Sequence, residues 1–414
     1  MSQQTPSLKA WIIFSITAAF YAYEFFLRVA PAALQSDIMQ HYSITAQSFG
    51  ILMSSYYWTY TPLQLFVGSF MDLYGPRKTL IIAICSCLIG AGAFTTVTYF
   101  PAAIVSYAVV GFGSAFAFVG VLKLSASWFP KNYLAIASGI ATSMGMIGAI
   151  SGEFILDLTL TQFGYKPSFI AYFIIGILIL LAVIFIVKDQ PTKKNLKKRA
   201  PIKVKTLIRD FSQLTRSSQF WLNAIVGSLL FMPTNIFASM WAVMFFKQTY
   251  YMQSHDANLT SSLLFGGWAF GAPISGYLAS RGVSIVFLLR FGSLFAGLLL
   301  TTIIFHEISS YMAILVAMFG VGLFSSVQIL VFPNAVSFID RKYAGTAVSL
   351  TNMVIMLNTF LSPLVGLILD HSWDGTRIHG EPIFSAYGFE QALLMLPISL
   401  FICFIFTYFM KSNA

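Results

Sequence analysis

The sequence predicts an all-α polytopic membrane protein with 12 transmembrane helices in two pseudo-repeated six-helix bundles. Three observations predict it. Of 414 residues, 57% are hydrophobic and only 9% charged, and mean hydropathy is +0.79. A soluble domain of this size does not hide that much apolar surface. Apolar runs recur along the chain, each near the roughly 20 residues a bilayer core requires. A polar turn between two of these runs, Gly68-Ser-Phe-Met-Asp72-Leu-Tyr-Gly75-Pro76-Arg77-Lys78, returns 208 residues later in degraded form as Gly276-Tyr-Leu-Ala-Ser280-Arg281-Gly282.

The runs fall at 10–33, 48–71, 79–98, 101–128, 134–159 and 168–187, then at 220–246, 260–279, 284–305, 311–332, 345–369 and 385–410. They divide the chain into an N-terminal bundle (1–187), a basic linker (188–219) and a C-terminal bundle (220–414). Ala30-Pro31-Ala32 has the look of a signal-peptidase site, but the first run is too long for a signal peptide and carries Glu24 and Arg28, so it reads as a retained span. The halves match beyond the turn. Gly111-Phe-Gly113 in span 4 pairs with Gly320-Val-Gly322 in span 10, and Leu156-Asp157 closing span 5 pairs with Leu369-Asp370 closing span 11.

Twelve spans put both termini on one side, and basic residues choose the side. With the termini cytoplasmic, inner loops and tails hold nineteen Lys and Arg, and outer loops hold three: Lys166, Lys247 and Arg377. The expected location is therefore a bacterial inner membrane, with the chain acting as a monomer in the lipid bilayer. Residues 188–219 carry ten basic and two acidic side chains, most of the net charge of +10. Lying between two bundles, this stretch reads as a cytoplasmic linker near anionic headgroups, not as a nucleic-acid surface. Cys85, Cys87 and Cys403 lie in apolar runs and form neither a disulfide framework nor a metal spacing. No cofactor or metal is expected. No HExxH or GxSxG motif is present, so the chain does not read as an enzyme.

The turn is a specific device. Gly68 permits close helix approach, Gly75-Pro76 forces a sharp reversal, and Arg77 and Lys78 supply cations. Asp72 at a helix C-terminus is electrostatically misplaced unless a cation or another helix's N-terminus faces it. The pattern G-x-x-x-D-x-x-G-x-R-K between spans 2 and 3 resembles the signature loop of the major facilitator superfamily of secondary transporters. That resemblance implies two bundles that alternate access to a central site, lined by spans 1, 4, 7 and 10. It also implies that Gly68, Asp72, Gly75, Arg77 and Lys78 form a conformational latch between the bundles. The second copy has Ser280 where the aspartate belongs, which weakens any matching latch there.

Four ionisable residues lie at membrane depth, all in the first half: Glu24, Arg28, Lys123 and Glu153. Such residues cost roughly 2.5–3.5 kcal/mol each on insertion scales and mark function by default. Glu24 and Arg28 are four apart on one helix face. Counting about 1.5 Å per residue puts Arg28 and Glu153 at similar depth, so a contact between them is expected. Arg28 suits a substrate carboxylate because its fork is bidentate and always charged. Glu24 or Glu153, in a dry cavity, suits a proton carrier. Lys123 is close enough to the inner surface to snorkel. In the second half, Asn235 of span 7 and Gln328 of span 10 are candidate hydrogen-bonding groups, and Tyr57 of span 2 is a candidate aromatic wall.

The stretches Tyr21-Ala-Tyr23-Glu24-Phe-Phe-Leu-Arg28-Val-Ala-Pro31 and Ser54-Ser-Tyr56-Tyr57-Trp58-Thr-Tyr60-Thr-Pro62 resemble a bacterial branch of the superfamily. That branch includes intraphagosomal amino-acid transporters and is related to lysosomal dipeptide carriers. Two patterns depart from the wider family. Tyr107 stands where many proton-coupled members have an arginine, and Gly145-Met-Ile-Gly148-Ala-Ile-Ser-Gly152 lacks the proline of drug antiporters. The expectation is uptake of a small polar metabolite (an amino acid, short peptide or similar carboxylate) by alternating access, driven by protons. The alternatives are an organic-anion or phosphate-ester exchanger and a facilitative uniporter.

Overall fold

The computed structural model describes residues 6–130, 133–189, 216–305, 308–337, 344–378 and 381–411. The linker expected at 188–219 lies almost wholly outside these residues, as do Lys131, Arg341 and Lys342. Within them the chain is helical almost throughout. The spans are Leu8–Ala33 (span 1), Ala46–Leu63 with Val67–Tyr74 (2), Pro76–Phe94 (3), Phe100–Trp128 (4), Ile136–Phe163 (5) and Tyr165–Phe185 (6). The second half repeats them as Ser218–Thr249 (7), Ser254–Ser280 (8), Ile285–Ile304 (9), Tyr311–Ser337 (10), Thr346–Ser372 (11) and Ala386–Phe406 (12).

Among these, ten are long and apolar enough to cross a membrane by composition. The two that fall short are spans 2 and 8, which occupy matching places in the two halves. Span 2 carries Ser54, Ser55, Tyr56, Tyr57, Thr59 and Tyr60, and span 8 carries Asn258, Thr260, Ser261 and Ser262. Ser54, Tyr57 and Ser254 face the joint between the halves, while Ser55 and Thr59 bond span 4 carbonyls, and in both places packed protein replaces lipid.

The connections define two faces. The termini face holds the first and last described residues, the turn at 75 and the junction where Gln219 bonds the Phe409 carbonyl and the Lys411 amide. The far face carries two elements the apolar pattern did not announce. One is a short helix, Gln35–Tyr42, and the other a two-residue antiparallel pairing of Arg377–Ile378 with Glu381–Pro382.

Close contact of spans depends on missing side chains. A Cβ on Gly111 of span 4 would lie 1.9 Å from the Tyr56 carbonyl oxygen of span 2. A Cβ on Gly322 of span 10 would lie 1.9 Å from the Leu264 carbonyl oxygen of span 8. Tyr56 and Leu264 stand 208 residues apart, the spacing of the duplicated turn, so the same helix crossing is built twice. Several joint-facing spans are irregular near their middles. Span 5 widens to a π turn at Ser151–Ile155 and span 7 at Pro233–Trp241, where proline lacks a donor. Spans 10 and 11 tighten to 3₁₀ turns at Ser326–Leu330 and Leu357–Leu361. The three cysteines are free, and Cys87 and Cys403 are buried.

Candidate functional site

The centre of the site is an ion pair inside the first bundle. Glu24 is 0% exposed and Arg28 3%. One helical turn apart, they meet as one guanidinium nitrogen donates to both carboxylate oxygens at 3.0 Å. Span 2 closes the arrangement. Arg28 Nε donates to the Tyr56 hydroxyl at 3.1 Å, and that hydroxyl donates to Glu24 at 2.9 Å. The guanidinium is boxed by the rings of Phe25, Tyr60 and Tyr56, with centroids at 4.1, 5.0 and 5.3 Å. Tyr107 donates to the Arg28 backbone carbonyl at 2.6 Å. The residue standing where an arginine is common thus fixes the backbone under Arg28 and adds no second cation.

A burial of this kind is held only when the pair is well bonded, because each ion loses several kcal/mol of hydration. In the Arg28–Glu24–Tyr56 triangle the carboxylate accepts three bonds and leaves no charge bare. The triangle also defines a chemistry. Glu24 and Tyr56 together hold the Nη2 and Nε donors of Arg28, the edge a soluble carboxylate would use.

From the neighbouring Tyr57 a chain of hydrogen bonds crosses to the second half. Its hydroxyl donates to Asn235 Oδ1 at 3.2 Å, Asn235 donates to Asn358 Oδ1 at 3.2 Å, and Asn358 donates to the Ser228 carbonyl at 2.8 Å. Glu24, Arg28, Tyr57 and Asn235 are therefore brought together. Gln328 is not: it is buried in the 3₁₀ turn of span 10 and stands outside this chain among the described residues. Sequence reasoning missed Tyr56 as the third member of the ion-pair triangle. The signal for it was the pair itself, since a fully buried arginine and glutamate require a further bonding partner.

Three expectations about the membrane charges are corrected. Arg28 does not contact Glu153. Arg28 turns toward span 2, whereas Glu153 lies beside Ser261 of span 8, whose hydroxyl donates to the Ala238 carbonyl, and no hydrogen bond reaches the Glu153 carboxylate. Depth along two helices was right, but rotation about their axes separates the groups. Lys123 does not simply snorkel. Its ammonium lies 2.6 Å from Asp72 Oδ1 and donates to the Gly68 carbonyl at 2.7 Å. It is therefore Lys123, not Arg77 or Lys78, that answers the misplaced aspartate.

The turn is bonded within its own bundle in this structure. Gly75 adopts φ 86°, and a Cβ there would lie 2.7 Å from Asp189. The Asp189 carboxylate accepts the Arg77 backbone N–H at 2.7 Å, capping the start of span 3, and the Arg77 side chain donates to the Ile184 carbonyl of span 6. Lys78 is exposed. A Cβ on Gly68 would meet open space, as would one on its repeat partner Gly276, so the close approach expected at Gly68 is absent here. Toward the termini face Leu65 of span 2 packs against an apolar cluster of the second half that includes Phe220, Ala224 and Leu350. Between described residues, the polar contacts of the two halves run from the middle outward to the far face.

A helical fold of two matching halves, with an ion pair buried inside the first, is the architecture of a membrane carrier. The chain belongs to the Major Facilitator Superfamily, whose family model matches residues 12–363. An uncharacterized transporter, YybO, of Bacillus subtilis (strain 168) is 25% identical over 340 residues, 73% of this chain and 75% of that one. The probable galactarate/D-glucarate transporter GarP of Escherichia coli (strain K12) is 20% identical over 391 residues, 87% of each chain. The hexuronate transporter of Bacillus subtilis (strain 168) is 26% identical over 181 residues, 44% of this chain and 42% of that one. Among solved structures, a bacterial homolog of the human lysosomal transporter Spinster, in an inward-facing and unoccupied conformation, superposes with a TM-score of 0.75. It is 15% identical, with 97% of each chain covered, and so speaks to the fold alone. The chain is thus a multi-pass membrane transporter and not an enzyme.

Proposed function

We propose that this carrier takes up a small organic carboxylate by alternating access, coupled to protons at Glu24. The observation that carries the reading is the buried Arg28 held by an internal carboxylate, beside a wall of hydrogen-bonding side chains. With Glu24 charged, Arg28 is occupied. With Glu24 protonated, the fork is free for the substrate carboxylate, so proton and substrate enter together. Tyr57 and Asn235 then meet the rest of the substrate, and their bond is the first that a molecule between the halves would replace. Relatives named for hexuronate and galactarate or D-glucarate support a polyhydroxylated acid. A second reading, an amino acid or short peptide, rests on Glu24 beside Arg28, which would receive an ammonium, and on the likeness of spans 1 and 2 noted above. By the distribution of basic residues the termini face is cytoplasmic. The Asp72 turn is proposed to latch the halves when that face closes.

The test is a thermal-shift screen of the purified chain against sugar acids, amino acids, dipeptides and neutral sugars. A ligand that binds only the folded state raises its apparent stability. Sugar acids are expected to raise the melting temperature, and Arg28→Gln to abolish the rise while leaving the unliganded melt cooperative. A shift by neutral sugars that survives Arg28→Gln would overturn the reading.

A further inference from the structure

Where spans 5 and 8 meet, the two halves bury oxygen atoms that have no donor. Glu153, 0% exposed, leaves both carboxylate oxygens without a hydrogen bond. Asn258, also 0% exposed, uses its amide nitrogen on the Ser254 carbonyl at 2.9 Å and leaves Oδ1 unpartnered. Asp157 accepts from the Ser254 hydroxyl at 3.1 Å through Oδ1, while Oδ2 has no hydrogen-bond partner and lies 3.6 Å from His255 Nδ1.

These atoms belong to one place. Ser254, Asn258 and Ser261 fall at i, i+4 and i+7 on one stripe of span 8. Glu153 and Asp157 are four apart on span 5. Ser254 meets Asp157 and Ser261 lies beside Glu153, so the stripe of span 8 that carries Asn258 runs along the two carboxylates. Phe154 lies against His255 with ring centroids 5.0 Å apart and planes tilted by 42°.

We propose that this seam is a sodium-binding site, with Glu153, Asn258 and Ser261 as ligands and Asp157 at its mouth. The proposal rests on the carrier reading above only in taking the halves to separate during transport. A buried carboxylate without a cation is unstable by several kcal/mol, so something neutralises Glu153. A proton does this incompletely. One O–H satisfies its own oxygen and one acceptor, whereas four acceptor atoms here lack partners. A hard cation takes oxygen ligands all round, from carboxylate, amide and hydroxyl alike. Of the three ligands only Glu153 is charged, and one carboxylate with neutral amide and hydroxyl oxygens matches a monovalent ion better than a divalent one. The ligands come from both halves, so the ion holds the far face shut and leaves when spans 5 and 8 part.

The matching seam argues that the polar residues are not structural filler. By the 208-residue spacing, Asn258 corresponds to Gly50 of span 2. By the 213-residue spacing of Asp157 and Asp370, Glu153 corresponds to Gly366 of span 11. That seam closes on glycines and has no need of a buried acid.

The test uses full-length purified protein at fixed pH and ionic strength, with sodium, potassium or choline chloride and no substrate. Sodium alone is expected to raise the melting temperature by a few degrees, saturably. Glu153→Gln is expected to lose the effect and Asn258→Ala to need at least about tenfold more sodium, while Asp72→Asn and Arg28→Gln retain it. If Glu153→Gln does not fold, the Asn258→Ala titration decides alone. Equal responses to sodium, potassium and choline, with stability moving only with pH, would mean that Glu153 holds a proton and would overturn the site. Because no substrate is present, that outcome leaves the Arg28 reading standing.

Discussion

The two seams that close the far face occupy matching positions and hold by different physics. Between spans 2 and 11 the backbones touch: a Cβ on Gly50 would lie 2.8 Å from Pro363, and one on Gly366 would lie 2.3 Å from the Ala46 carbonyl. Asp370 then caps span 2, accepting the backbone N–H of Ala46 and Gln47 at 2.9 and 2.8 Å. This satisfies orphan donors and sets a negative charge at the positive end of a helix dipole. Between spans 5 and 8, Asp157 reaches only the side chains of Ser254 and His255, which stand 208 residues after Ala46 and Gln47. Below it lie Glu153 and Asn258 instead of glycines. One seam is a steric joint completed by its own chain, and the other buries acceptors that a cation would complete. Duplication supplied two copies of a closure, and one has become a place where ion binding alters its strength.

The largest effect that tests this comparison is expected at Gly366. Gly366→Leu puts a side chain where the Ala46 backbone sits, so the far face cannot shut. Uptake into proteoliposomes should fall by about 100-fold or more, while the detergent-purified protein still melts cooperatively. Near-normal uptake would show that the glycine contact is dispensable.

A smaller effect separates the two carboxylates. Asp370→Asn loses a charged helix cap, an interaction of about 1 kcal/mol, and shifts the open–closed balance of the far face by about fivefold. Asp157→Asn loses a bond to a side chain and a contact to a half-exposed histidine, so it should shift the balance less. Spin-label distances across each seam read both. An equal or larger shift for Asp157→Asn would erase the distinction between the seams.

The helices were legible because twelve apolar runs leave little choice, and the structure keeps each within a few residues of its expected place. Spans 2 and 8 illustrate the limit: their polar residues lower hydropathy because their burial is by protein, which a single-helix window does not register. The turn was legible as a motif but not in its bonding. That Lys123 answers Asp72 depends on how span 4 rotates beside span 2, and nothing in spacing along one helix fixes that. Glu24 and Arg28 were readable as a pair because four residues on one helix fix their geometry. The Asp370 cap joins residues more than 320 apart, and only the folded chain brings them together. Glu153 was visible as a charge out of place, but its facing partners lie on a helix of the other half.

The central claim is that Glu24 and the substrate carboxylate compete for Arg28. It is tested most directly by measuring substrate affinity against pH in the wild type and in Glu24→Gln. Protonation of Glu24 frees Arg28, so wild-type affinity should strengthen as pH falls through the titration of Glu24 and weaken as it rises. In Glu24→Gln no charge holds Arg28 at any pH, so affinity should be at least as tight as the wild type at low pH and flat across the range. A Glu24→Gln protein that keeps the wild-type pH dependence, or that no longer binds substrate at any pH, would contradict the account.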